Sequence, residues 1–187
     1  MSLIDTCISI LPNELVALLF ATDQDPKWHK EGNVLNHTKQ VFALVVKRHG
    51  VHSKDALSLL MAALFHDMGK IDTTVRLPTG EITAHEHESK ANKYIYEYFD
   101  LFNDRLLKLY KPDTFMDKLK LKFHPQCILN EIKSNTLEIA YNHMRIHLFL
   151  DGNIKKQGRI KNVMKLKTFN LLVAFSICDS MGRKPQK

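Results

Sequence analysis

Residues 53–70 read SKDALSLLMAALFHDMGK. Ser53 supplies a hydroxyl suited to capping free amides at a helix start. Behind it, Leu57, Leu59, Leu60, Met61, Leu64 and Phe65 leave almost no polar face. A helix apolar nearly all round belongs inside the molecule, so this segment is predicted as the central core helix. It ends on His66 and Asp67, and Met68-Gly69 stops it. A carboxylate buried without a partner is costly. Two readings of the pair stay open: a surface His and Asp finishing a helix, or two side chains converging on one ion where the helix end relaxes the usual divergence of neighbours.

The flanking segments also read as helices. Pro12 opens one that runs to about residue 21, and TDQDPKWHKEGN forms a polar loop. A helix over roughly 33–49 carries Val34, His37, Val41, Leu44 and Val45 on one face and closes at Gly50. Residues 71–84, with Pro78 and Gly80, predict a loop with a short hairpin. A helix follows from about 86 to 99. Residues 100–133 predict two short lysine-rich helices broken at Pro112 and Pro125. A helix from Ser134 to about Leu150 comes next, and TFNLLVAFSICDSM is the last, ending before Gly182. β-branched alternating runs are nearly absent, so the chain is predicted as all-α. Its 187 residues show no repeat or linker, and the simplest reading is one domain over 1–187.

Composition narrows the function classes. No apolar run approaches the roughly 18–20 residues that cross a bilayer, and the N-terminus lacks the positive region of a signal peptide. Cys7, Cys127 and Cys178 are odd in number and unpatterned. They exclude a disulfide scaffold or zinc ribbon and fit a reducing cytoplasm. The net charge of +7 suits an anionic partner, although charge alone also serves solubility. Ten histidines are the more unusual feature.

Several polar residues fall where apolar ones belong. Asp179 continues the stripe of Leu172, Phe175 and Ser176. His37 shares its face with Val34, Val41 and Leu44, and His143 lies with Ile139, Ala140 and Ile146. Each alone fits a hydrogen-bonded core residue or a frayed helix end. Together, several helices each offer an imidazole or carboxylate from an apolar face, which is how helical folds build a metal site.

The order His37, His66-Asp67, Asp179 resembles the H…HD…D pattern of the HD-domain metal-dependent phosphohydrolases, and HDMGK (His66–Lys70) is similar to their HD-x-GK element. WHKEGNVLNHT (Trp28–Thr38) resembles the WHPEGDV-x-x-HT segment in the HD domains of bacterial tRNA nucleotidyltransferases and of RNA end-healing proteins. HEHESKA (His85–Ala91) is similar to GHE-x-x-GA, YNHMRIH (Tyr141–His147) sits where the family has a later histidine, and CDSMGR (Cys178–Arg183) resembles AD-x-x-GR. Lys30, Asn33 and Ala91 depart from the pattern, and residues 100–133 match nothing in it, which marks them as a family-specific insertion. The 187 residues show no Gly-rich strand with paired acids of a nucleotidyltransferase head, so nucleotide addition by that route is not expected of them.

The resemblance implies an HD-domain helical bundle with a divalent transition metal (Mn, Fe, Co, Ni or Zn) between helices, held by His37, His66, Asp67 and Asp179. A metal-bound water would attack a phosphoester. His87 and His143 are candidates either for a second ion bridged by Asp67 or for contact with substrate. His85 is a candidate acid or phosphate contact. Lys70 would neutralise charge in the transition state, against the alternative of a solvated lysine, and Arg183 would clamp a phosphate unless it is simply a tail residue. Trp28 either packs its loop or stacks on a base, and packing is the expectation. Lys155, Lys156 and Arg159 belong to a run of six Lys or Arg over residues 155–167, a candidate face for an RNA end unless it is only solvated. The expected substrates are nucleotide or RNA phosphoesters, first among them 2′,3′-cyclic phosphodiesters and terminal 2′- or 3′-phosphates. (Deoxy)nucleotide hydrolysis is the alternative, followed by a non-catalytic metal-containing binding module.

Overall fold

The computed structural model describes residues 2–146 and 165–183. In chain order these form α1 (Leu3–Ile8), α2 (Asn13–Ala21), α3 (Val34–His49), α4 (Lys54–Phe65), α5 (Lys70–Thr73), β1 (Thr74–Arg76), β2 (Ile82–Ala84), α6 (His87–Tyr98), a 3-10 turn (Phe99–Phe102), α7 (Asn103–Leu109), α8 (Phe115–Phe123), α9 (Pro125–Asn142) and α10 (Leu166–Gly182). The fold is all-α apart from one antiparallel hairpin that pairs Thr74 with Ala84 and Arg76 with Ile82. Among the described residues, no helix is long and apolar enough to cross a membrane.

Helix α4 is the axis of the bundle. Ser53 caps it by accepting from the Ala56 amide, and every residue from Ala56 to Phe65 is buried. Such a helix needs neighbours on every side. Helices α3, α9 and α10 pack along it, and α6 closes the remaining side while lying against α9. Phe65 meets Phe102 edge to face at 5.9 Å, and Phe175 of α10 does the same with the His66 ring at 5.2 Å. Burying each such aromatic side chain stabilises by about 1.5–3 kcal/mol.

The boundaries of α3 and α4 agree closely with the periodicity. Three other expectations need correction. A short helix, α1, precedes the one expected from Pro12, capped by the Ser2 hydroxyl. Pro112 and Pro125 do bound two short helices, α7 and α8, but Pro125 also opens the next helix: it occupies the first turn of α9, where no partner for its missing N–H is needed. Residues 125–133 therefore belong to the same helix as Ser134, and Ile128, Leu129 and Ile132 join the core. Finally, α9 ends at Asn142 with His143 as its cap, and residues 147–150 of the expected helix lie outside the described residues.

Two glycines are required by packing rather than by turn geometry. Gly69 has ordinary helical φ, yet a Cβ there would fall 2.0 Å from the His87 carbonyl oxygen and 2.7 Å from the Ala91 nitrogen. The backbone of α6 thus rests directly on the HDMGK turn. At Gly182 a Cβ would meet Val41 Cγ2 at 2.7 Å, so the end of α10 lies close on α3. These two contacts bring the polar ends of α4, α6, α3 and α10 together. Gly69→Ala has to push backbone rather than a flexible side chain. It is expected to cost at least the ~1–3 kcal/mol typical of overpacking, read as a lower midpoint in urea unfolding with an unchanged slope.

Candidate metal centre

The ends of α3, α4, α6, α9 and α10 deliver His37, His66, Asp67, His87, His143 and Asp179 to one place, all of them buried. Each imidazole is aimed by its own second nitrogen. The Nδ1–H of His66 donates to the Ala63 carbonyl at 3.2 Å, that of His87 to Ala84 at 2.8 Å, and that of His143 to Ala140 at 2.6 Å. A carbonyl can only accept, so in all three rings Nδ1 carries a proton and Nε2 points inward, with a lone pair there whenever the ring is neutral. In each case the carbonyl lies three residues back along the chain.

His37 is oriented by a carboxylate instead. Glu31 Oε1 stands 2.8 Å from Nδ1 of both His37 and His29, while His37 Nε2 lies 2.9 Å from Asp179 Oδ1. Burial opposes charge on His37, but its bonds to Asp179 and Glu31 outweigh burial and lift its pKa to about 9. Burial likewise works against the charge on Glu31, and the hydrogen bonds from His29 and His37 reverse it, holding the carboxyl far below its usual range. For Asp67, burial is overcome by the charges of His66 and Lys70, which keep it well below the ordinary value. His143 goes the other way. Burial, reinforced by the charge on His66, pushes it down to about 3, so it is a neutral acceptor.

The inward-facing atoms form two groups that share Asp67. Its Oδ2 lies 3.7 Å from His37 Nε2 and 3.4 Å from His66 Nε2, and His66 Nε2 lies 3.6 Å from Asp179 Oδ1. Its Oδ1 lies 3.3 Å from His87 Nε2 and 3.8 Å from His143 Nε2. Adjacent ligand atoms on a six-coordinate ion with bonds of about 2.1 Å stand about 3 Å apart, close to these separations. Two orphaned contacts also fit a cation. His66 Nε2 is buried without a hydrogen-bond partner. His87 Nε2 and His143 Nε2 face each other at 3.2 Å with both Nδ1 atoms already carrying the proton. The donor set, imidazole mixed with carboxylate, is that of a transition metal. The described residues therefore could hold one ion at His37, His66, Asp67 and Asp179, and a second at Asp67, His87 and His143.

Lys70 is not a solvated lysine. It is buried, donates to Asp67 Oδ2 at 2.8 Å and to Gln24 Oε1, and borders a cleft of about 380 Å³. Arg183 is half-buried, donates to Asp179 Oδ2 at 3.0 Å and lines the same cleft. His85 is exposed between β2 and α6 and joins neither group. Trp28 is not packed into its loop as expected, but is 59% exposed on the cleft wall. Lys155, Lys156 and Arg159 lie outside the described residues.

Sequence reasoning passed over His29, Glu31 and Gln24. His29 and Glu31 stood inside the quoted WHKEGN segment, and their signal was that match. Gln24 carried no pattern of its own, because only the loop closure reveals it. The loop is drawn shut by the Gln24 amide donating to the Gly32 carbonyl and the Val34 amide to Thr22. Removing a partner that orients a ligand typically weakens metal binding by about 10–100-fold. Glu31→Ala is expected to do so for Mn(II) or Co(II), measured by titration calorimetry, with the unfolding midpoint in EDTA as the control for folding.

The model of the HD domain family matches residues 34–148 of the chain, more than half its length. No curated protein and no solved structure matches it significantly. The matched region contains His37, His66, Asp67, Lys70, His87 and His143, which is the greater part of the paired site just described. The chain belongs to the HD-domain family of metal-dependent phosphohydrolases.

Proposed function

We propose that this protein hydrolyses nucleotide or RNA phosphoesters, acting first on 2′,3′-cyclic phosphodiesters and terminal 2′- or 3′-phosphates. The observation that carries the hydrolytic part is the division of Asp67. One oxygen serves the His37–His66–Asp179 group and the other the His87–His143 group, beside a cleft walled by Lys70, His87 and Arg183. The preference for ribose ends is supported by the WHKEGNVLNHT segment, which resembles HD domains that work on RNA termini.

In the proposed site, His37, His66, Asp67 and Asp179 hold a divalent ion, and His87 and His143 either complete a second site or meet the substrate. A bound ion supplies Lewis acidity, polarising a phosphoryl oxygen and lowering the pKa of water. The protein's own groups do the rest. The backbone carbonyls of Ala63, Ala84 and Ala140 keep three imidazoles in one tautomer, so no reorientation is needed during reaction. Lys70 fixes Asp67 and places a buried ammonium at the cleft, where it offsets negative charge building on the phosphoryl oxygens. Arg183 holds Asp179 from the other side and offers a guanidinium to a phosphate.

The test is a substrate panel with Mn, Ni and Co added in turn: 2′,3′-cyclic mononucleotides, 3′-phosphate nucleotides, dNTPs and bis(p-nitrophenyl) phosphate. Preference for cyclic or 3′-phosphates is the expected result. Preference for dNTPs would instead make the protein a nucleotide triphosphohydrolase, and no turnover with any metal would leave a binding module. Asp67→Ala is expected to remove turnover and metal binding together, and an active variant would refute the site. Lys70→Ala is expected to lower kcat by about a hundredfold, read in initial-rate assays at saturating metal.

A further inference from the structure

The cleft beside the paired site has a mixed lining. Lys70, His87 and Arg183 contribute cationic and polar groups. Trp28 on the loop before α3 and Ile82 and Ala84 on the hairpin contribute apolar surface. A single exposed hydrophobic residue is ordinary on a protein surface. Trp28 is different because of how its surroundings are held. Asp25 accepts from the Lys27 amide at 2.8 Å and from the Ile82 amide at 3.2 Å, so one carboxylate ties the backbone next to Trp28 to strand β2. Arg76 on β1 donates to Asp23 at 3.1 Å, a second tie between the same two segments. A two-stranded hairpin alone is marginal. This one is braced against the loop, and the space between them is kept open rather than collapsed. The indole is therefore displayed on a fixed wall with 59% of its surface exposed. The Lys27 ammonium lies over the indole, 5.0 Å from its ring centroid. The cleft volume of about 380 Å³ falls within the range of about 300–1,000 Å³ usual for small-molecule sites.

We propose that Trp28 is the base platform of this site: a nucleobase stacks on the indole, against the hairpin wall of Ile82 and Ala84, while the phosphate reaches Lys70, His87 and Arg183. The inference builds on the proposed phosphohydrolase activity and narrows its substrates to phosphoesters that carry a base close to the reacting phosphate. Every base has a π face, so the platform selects for the presence of a base and not for its identity. Asp23 and Asp25 add no base readout, because their carboxylates already serve Arg76 and the backbone.

Trp28 is the only tryptophan in the chain, so its fluorescence reports from this wall alone. In stopped-flow mixing, before turnover, adenosine 2′-, 3′- and 5′-monophosphates are the base-bearing probes, and ribose 5-phosphate and glycerol phosphate are the baseless ones. At least one adenosine phosphate is expected to quench the indole saturably, and neither baseless phosphate to do so at the same concentration. Equal quenching by both classes, or none by either, overturns the platform. In calorimetry, Trp28→Ala is expected to weaken binding of that adenosine phosphate by about tenfold or more, with Trp28→Phe retaining most of it. Unchanged affinity in Trp28→Ala also overturns it. The two proposals fail separately. Turnover of the phosphoester panel without base-dependent quenching leaves the hydrolase and removes the platform. Base-dependent quenching with no turnover under any metal leaves the platform and removes the hydrolase.

Discussion

The site depends on where three protons sit. His66, His87 and His143 each give the Nδ1 proton to a carbonyl three residues back, so each Nε2 lone pair faces the same small volume. Had those protons been on Nε2, the centre would present N–H groups and would attract anions instead of a cation. The local chain direction at the ends of α4 and α9 and at the start of α6 fixes that choice. It costs no extra polar residues, because the carbonyls involved are among those that helix ends and turns leave unpaired. Glu31 orients His37 with a full negative charge 2.8 Å from its Nδ1, so the fourth ring also turns Nε2 toward the carboxylates at the centre.

The core and the site impose opposite demands on α4. Its middle turns bury apolar side chains on all sides, while its last turn carries a histidine and a carboxylate into the same interior. Both are satisfied because the neighbouring helices also end at this level. Gly69 lets the backbone of α6 press onto the HDMGK turn, and Gly182 lets α10 approach α3. Each close approach adds a ligand-bearing element, His87 in one case and Asp179 in the other. Lys70, one turn beyond Asp67, then supplies a fixed positive charge within the centre. Five buried polar groups around two carboxylate oxygens would be prohibitive in isolation. Shared hydrogen bonds and opposite charges make the cluster consistent.

The hairpin and the loop before α3 contribute little to the core, yet they shape the cleft. Asp23 and Asp25 bind the two segments to each other, and the bridge between Asp23 and Asn33 closes the base of the loop. Rigid walls of this kind lower the entropy lost when a ligand is bound. They also explain why a large apolar ring can remain in water: the backbone that would have to move to bury it is held at both ends.

Much of this was readable in the residue order. The run from Ala56 to Phe65 could only be a buried helix, and Ser53 and Gly50 marked its start and the end of α3, because these are local interactions between near neighbours. The types of residue at His37, His66, Asp67 and Asp179 were also determined there, since polar groups on apolar faces need partners, and the resemblance to the HD pattern implied the chemistry. Other features were not local. Pro125 could break a helix or open one, and only the packing of Ile128, Leu129 and Ile132 against the core decided it. His29 and Glu31 acquired a role when the loop closed under α3. His85 and His87 are two residues apart, yet the turn at Glu86, with its positive φ, leaves the first in solvent and buries the second. Trp28 reads as a packing residue until its loop is seen tied to the hairpin. The sequence by itself determined which elements form and which ligand chemistry they carry, through contacts between near neighbours. The tertiary structure alone decided which atoms face each other, because lone-pair direction, burial and shared charge depend on segments far apart in the chain.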